Sequence, residues 1–143
     1  MSVKQLSVFI ENKAGKLRKA VNAMSQAGVN IRALSIADSS KYGILRLIVS
    51  DNETAIEALK AEKFTVKEND VIVVGIKDEP NGLNSTLEIL EKAEINVEYV
   101  YAFVSTKVDE AIVVFKIENY EDGLKALNEA NANILYEDDL AKI

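Results

Sequence analysis

A chain of 143 residues, 48% apolar and 28% charged, has a globular composition and room for one ordinary domain or two small ones, and no apolar run approaches the ~20 residues of a membrane helix. A net charge of −6 argues against a nucleic-acid partner, because phosphate backbones are held by clustered Lys and Arg. With no Cys and no His, the usual zinc sites, thiol chemistry, Ser-His arrangements and imidazole acid-base catalysis drop out.

The opening "MSVKQLSVFIENKAG" meets polar residues too early for a secretory segment, so a cytoplasmic location is expected. "LSVFI" reads as a strand, and Leu17, Ala20, Val21, Met24 and Ala27 recur at helical spacing until Gly28 stops the helix. "VNIRALSIAD" is a second strand, "SSKYG" a hairpin turn and "ILRLIVS" a third strand. Asp51 or Asn52 caps a short helix carrying Ala55, Ile56 and Leu59, and "FTVKE" closes the set as a fourth strand. The order βαββαβ then runs again through "VIVVGI", "LNSTLEILEKAE", "INVEYVYAFV", "AIVVFKI", "EDGLKALNEA" and "NILYE".

Sliding the chain on itself by 66 residues makes the repetition explicit: Val8 meets Val74, Leu17 meets Leu83, Val29 meets Ile95 and Asn30 meets Asn96. After the hairpin the overlay slips by one, so that Ile44-Leu45-Arg46-Leu47 lies on Ala111-Ile112-Val113-Val114 and Asp51-Asn52 on Glu118-Asn119. The expected architecture is α+β: two ferredoxin-like repeats, 1–69 and 70–143, each an antiparallel sheet with helices on one face, paired into one pseudo-symmetric unit. Such small layers leave apolar strand surface to cover, which gives two copies a reason to pair.

Chemistry is expected where a strand hands over to a helix, because the first amides of a helix are unpaired and seat an anion such as a carboxylate. Those loops are Asn12-Lys13-Ala14-Gly15-Lys16, followed by Leu17, and Asp78-Glu79-Pro80-Asn81-Gly82, followed by Leu83. Asn30 and Asn96 open the second strands, and an amide side chain can serve either end of a zwitterion. Ordinary turn chemistry also accounts for each of these residues.

"NKAGKLRKAVNAMSQAGVNIRALSI" and "DEPNGLNSTLEILEKAEINVEYVYA" resemble the ACT-domain pattern, in which a Gly-containing turn and a Leu open the first helix and "xNI" follows it. The resemblance covers both copies, nearly the full chain. It implies a tandem ACT protein, a non-catalytic regulatory or sensor module that binds a free amino acid between its two repeats and acts on a separate metabolic enzyme or regulator. It calls for no cofactor, metal, catalytic residue, nucleic acid or membrane, and it allows a homodimer. The first loop has Ala14-Gly15 where the family often has Pro-Gly, and the second has Pro80 with Gly82 two places on.

The resemblance also directs a choice of pocket. Alternate residues Ile31, Ala33, Ser35 and Ala37 are mostly small, whereas Val97, Tyr99, Tyr101 and Phe103 are bulky. The roomier pocket then joins Asp78, Asn81, Gly82 and Leu83 with Leu34, Ser35, Ile36 and Asn30: amides of Asn81, Gly82 and Leu83 hold the carboxylate, and Asp78 takes the ammonium. The less favoured pocket joins Asn12, Ala14, Gly15, Lys16 and Leu17 with Asn96, Tyr99 and Tyr101.

Three other classes fit less well. An acylphosphatase-like enzyme needs an Arg in the first turn, and neither loop has one. An RNA-binding module needs aromatics on the first and third strands over a basic surface, and those strands carry only Phe9 and Phe115. A ligand-free structural or interaction subunit of a metabolic enzyme is the main alternative.

Overall fold

The computed structural model describes residues 2–38, 41–104 and 109–142. It contains β1 (Val3–Glu11), α1 (Lys16–Gln26), β2 (Ile31–Asp38), β3 (Tyr42–Val49), α2 (Asn52–Ala61), β4 (Thr65–Lys77), α3 (Gly82–Lys92), β5 (Val97–Ala102), β6 (Glu110–Ile117), α4 (Tyr120–Glu129), β7 (Asn133–Leu135) and α5 (Glu137–Leu140). Two compact units divide the chain, Lys4–Asn69 and Asp70–Ile143 with Met1–Val3. The expected turn "SSKYG" begins at Ser39 and Ser40, which lie outside the described residues.

In the first unit the strand order is β2-β3-β1-β4, and the antiparallel register sets Leu6 opposite Leu47, Val8 opposite Leu45 and Leu34 opposite Leu47. Leu6, Val8, Ile10, Leu45, Leu47 and Val49 share one face and pack against Ala20 and Met24 of α1 and Ala55 and Leu59 of α2. The opposite face carries a polar chain in which Gln5 donates to Ser7 Oγ at 3.2 Å and Ser7 to Asn69 Oδ1 at 2.8 Å.

The second unit has the order β7-β4-β6-β5, with Ile72 opposite Phe115 and Val97 opposite Ile117. Ile72, Val74, Ile76, Val113, Phe115 and Ile117 face Leu90 of α3 and Leu127 of α4. The βαββαβ order, the antiparallel sheets and the helices on one face are as the sequence indicated.

Two corrections have physical causes. "FTVKE" and "VIVVGI" are not separate strands: β4 runs unbroken for 13 residues through Asn69 and Asp70. Those turn-favouring side chains are instead held as acceptors, Asn69 from Ser7 and Asp70 from Ser2 Oγ at 3.2 Å. Second, Val49 pairs with Ile31 as Ile117 pairs with Val97, so the later elements repeat at 68 residues (49 to 117), not at the 67 of the sequence overlay. A one-residue error matters because it would turn every side chain of the third strand to the other face.

The helix ends also repeat. Gly28, Lys63, Glu94 and Asn131 all take left-handed φ, between 58° and 78°. The next amides then reach back, Val29 to Met24 O at 3.0 Å, Phe64 to Leu59 O at 3.0 Å, Ile95 to Leu90 O at 2.9 Å and Ala132 to Leu127 O at 2.9 Å. This closes the orphan carbonyls of each helix.

Candidate functional site

The helices of each unit start in two different ways. Asp51 caps α2, its carboxylate accepting from Thr54 N at 3.2 Å and Thr54 Oγ1 at 2.6 Å, and those bonds hold its pKa below the ordinary carboxylate value. Asn119 caps α4 by accepting from Asp122 N at 3.2 Å. The helices that follow the candidate loops, α1 and α3, have no side-chain cap. One amide of each is engaged within the turn, Lys16 N to Lys13 O at 3.2 Å and Gly82 N to Glu79 O at 2.9 Å. The next amides, Leu17 and Leu83, start helices whose positive pole no side chain covers, which suits an anion.

The two loops use glycine for different reasons. Gly15 has φ +87° and open space around a would-be Cβ, so it is the turn's left-handed conformation that requires it. Gly82 is buried, and a Cβ there would stand 2.1 Å from the Lys77 carbonyl oxygen and 2.8 Å from Ile76 Cγ2. Gly82 therefore lets the start of α3 sit against the end of β4. Its amide is already committed to Glu79, so carboxylate binding by this loop would fall to its neighbours.

Around the first loop, Asn12 N donates to Lys41 O at 2.9 Å, and Glu11 makes ion pairs with Lys13 at 3.0 Å and Lys16 at 3.9 Å. The bond and charge from Lys13 lower the Glu11 pKa, and Glu11 raises that of Lys13. Ala14 is exposed. A cavity of about 150 Å³ opens here, lined by Ile10, Glu11, Asn12, Lys13, Leu17, Ile36 and Gly43. Leu17 and Ile36 are 38% and 44% exposed, an apolar pair left at its mouth. Asn12, Leu17 and Ile36 thus meet inside one unit, although the sequence reading had assigned Ile36 to the other loop.

A bulge between Ile31 and Ala33, and its counterpart between Val97 and Tyr99, breaks the expected alternation. Ile31 and Val97 pack on the helix-side cores, whereas Ala33 opposite Ile48 and Tyr101 opposite Val114 lie on the other face. Leu34 and Ile36 are on the helix side and Ser35, opposite Arg46, is not. Tyr99 and Tyr101 stack with ring centroids 6.3 Å apart. Asn30 and Asn96 act through their backbones: Ser50 N donates to Asn30 O at 2.9 Å and Glu118 N to Asn96 O at 3.1 Å, while both side chains stay exposed.

In the second loop, Asp78, Asn81 and Leu83 are exposed, and Asn81 Oδ1 accepts from Asn84 at 3.1 Å. Of that predicted group only Gly82 lines the larger cavity of this unit, about 460 Å³ between β4, α3 and the start of β7. Among the described residues no group of three or more Asp and Glu is placed to hold a metal, and no helix is long and apolar enough to cross a membrane.

The repeat, the order of elements and the paired uncapped helices converge with a direct comparison: the family model described as an ACT domain pair matches residues 1–143. The chain belongs to the ACT domain pair family. A crystal structure of protein BT0572 from Bacteroides thetaiotaomicron is 35% identical, with a TM-score of 0.92 over 100% of this chain and 98% of that one. The regulatory subunits of aspartate kinase from Thermus thermophilus and Thermus flavus share the ACT-pair fold. Their TM-scores are 0.63 and 0.61 at 17% and 18% identity, over 90% and 92% of this chain and 92% and 94% of theirs. No functionally curated protein matches the sequence.

Sequence reasoning placed Lys13 in the candidate loop but missed Ile10, Glu11 and Gly43 at the first ACT cavity, although Glu11 adjoins Asn12. It also missed the larger cavity, whose signal was available in the repeat: Thr86, a hydroxyl on the buried face of α3, stands where the first ACT copy has Ala20.

Proposed function

We propose that this ACT domain pair is a non-catalytic regulatory module that binds a free amino acid. The observation that carries the reading is the small apolar cavity beside the uncapped start of α1. The amide end of α1 receives the carboxylate, Glu11 the ammonium, and Ile10, Leu17 and Ile36 the side chain. A cavity of about 150 Å³ is the size that takes a benzene-like group, so a compact apolar side chain fits. Asp78, Asn81 and Leu83 at the start of α3 form the second candidate seat, with Lys16 and Gly15 shaping the first. Support for a regulatory output comes from the Thermus chains of the same fold, which are regulatory subunits of aspartate kinase. The partner here is a separate enzyme or regulator, and the working location is the cytoplasm.

The test is thermal unfolding of the chain against each free amino acid at millimolar concentration. A ligand at about 100 times its Kd stabilises the folded state by roughly 2.7 kcal/mol. A selective rise that Ile36→Arg abolishes, and that Asp78→Ala leaves intact, supports the first seat. Loss with Asp78→Ala alone moves the ligand to α3. No rise with any amino acid rejects the sensor reading in favour of a ligand-free interaction subunit.

A further inference from the structure

Strand pairing sets Gly43 opposite Ile10 in the first repeat and Ala111 opposite Ile76 in the second, so the two positions correspond. Gly43 is buried and lines the cavity of about 150 Å³ beside the start of α1. Ala111 packs against the core of its own unit. One methyl group separates the two copies at this point.

The backbone does not call for this glycine. Gly43 lies outside the left-handed region that Gly15 and Gly28 occupy. A Cβ built there would stand 3.4 Å from the Ala37 carbonyl oxygen, 3.5 Å from Ile36 Cγ2 and 3.8 Å from Ile10 Cγ1, which is ordinary contact. Glycine inside a strand adds backbone entropy to the unfolded chain and packs no side chain, and it marks places where a ligand comes close. Ile36 and Ile10, whose side chains the Cβ would meet, themselves line the cavity. The methyl that Ala111 carries and Gly43 lacks is therefore cavity volume.

The walls decide what that volume suits. Ile10, Leu17 and Ile36 present hydrocarbon, and the charged members of the lining, Glu11 and Lys13, hold each other at 3.0 Å. A polar side chain placed against Ile10 and Gly43 would leave its hydrogen bonds unmade, whereas an aliphatic one loses nothing.

We propose that Gly43 is the specificity-determining residue of this seat: by omitting a side chain it admits a leucine-sized aliphatic group, which the methyl of an alanine would shut out. The proposal rests on the amino-acid reading above, and one arm of its test does not.

Leucine and alanine are titrated separately into the full chain and into Gly43→Ala, and the backbone amide shifts of Leu17 and Ile36 are followed by NMR. The added Cβ meets ordinary contacts, so the variant folds, and its thermal midpoint checks this. Leucine binds the unaltered chain more tightly than alanine does. Gly43→Ala weakens leucine by about tenfold or more and alanine by less than about threefold, as a misfit of one methylene in an apolar pocket does. Equal losses for the two, or leucine binding that the variant leaves unchanged, overturns the proposal. Where neither amino acid binds, the amino-acid reading fails and benzene, which has no ionic group, decides about Gly43. Saturable benzene shifts at Leu17 and Ile36 that Gly43→Ala removes support its role; shifts that persist in the variant, or none in the unaltered chain, overturn it.

Discussion

The two repeats of this chain place the same elements in the same order, yet the first fills its corner beside the second helix and the second leaves it open. Lys19, Glu62 and Phe64 converge in one; Ser85, Ala130 and Ala132 stand back in the other. Their strand-to-helix loops differ in the same spirit, since Gly15 answers to backbone conformation and Gly82 to the nearness of the Lys77 carbonyl. Duplication fixed the fold in both halves, which let packing detail diverge without disturbing the sheet.

The largest expected effect separates the two glycines. Gly82→Ala drives a Cβ into backbone that cannot step aside and should cost about 3 kcal/mol or more. Gly15→Ala meets open space and loses only the left-handed preference, about 1–2 kcal/mol. Urea unfolding of both variants checks this, and equal losses would mean that the loops are equivalent after all.

Next comes the corner itself. Phe64→Ala, at a partly buried aromatic, should destabilise by about 2 kcal/mol, whereas Ala132→Phe fills existing space and should change stability by less than about 1.5 kcal/mol. A large loss from Ala132→Phe in thermal unfolding would show that the second corner is closed in solution.

Smaller again is the helix-end comparison. Glu94 adopts at φ 58° the conformation that Gly28 adopts in the first repeat, so Glu94→Gly should gain at most about 1 kcal/mol, read as a shift in the urea midpoint.

The smallest effect concerns the caps. Asp51 has a lowered folded-state pKa, so its contribution is complete above the unfolded carboxylate value and is lost as pH falls through the folded one. Asn119, at the matching position of α4, does not titrate. Hydrogen exchange should show the start of α2 losing protection in acid relative to Asp51→Asn, and identical acid profiles for the two would reject the cap's role.

Much of this was readable in advance. Helical spacing at Leu17, Ala20 and Met24, the stop at Gly28 and the cap at Asp51 are local chemistry, and each stands where expected. The register of the third strands was not readable from the second copy, because "AIVVF" is apolar on both faces and a two-residue period leaves no mark on it. The bulges after Ile31 and Val97 were equally hidden, since they depend on the strands opposite. Asn69 and Asp70 fell between two expected strands, and their local preference is for turns; hydrogen bonds from Ser7 and Ser2 hold them in a strand.

By itself the sequence determined the duplication, the βαββαβ order and the family, because periodicity and turn chemistry act over a few residues and are written twice. Only the tertiary structure decided which side chains share a space. It set Ile36 beside Leu17 and Asn12, and it left Thr86 lining a cavity where the other copy is packed. Cavities arise from volumes contributed by residues distant along the chain, and no local pattern records whether those volumes add up to a filled space.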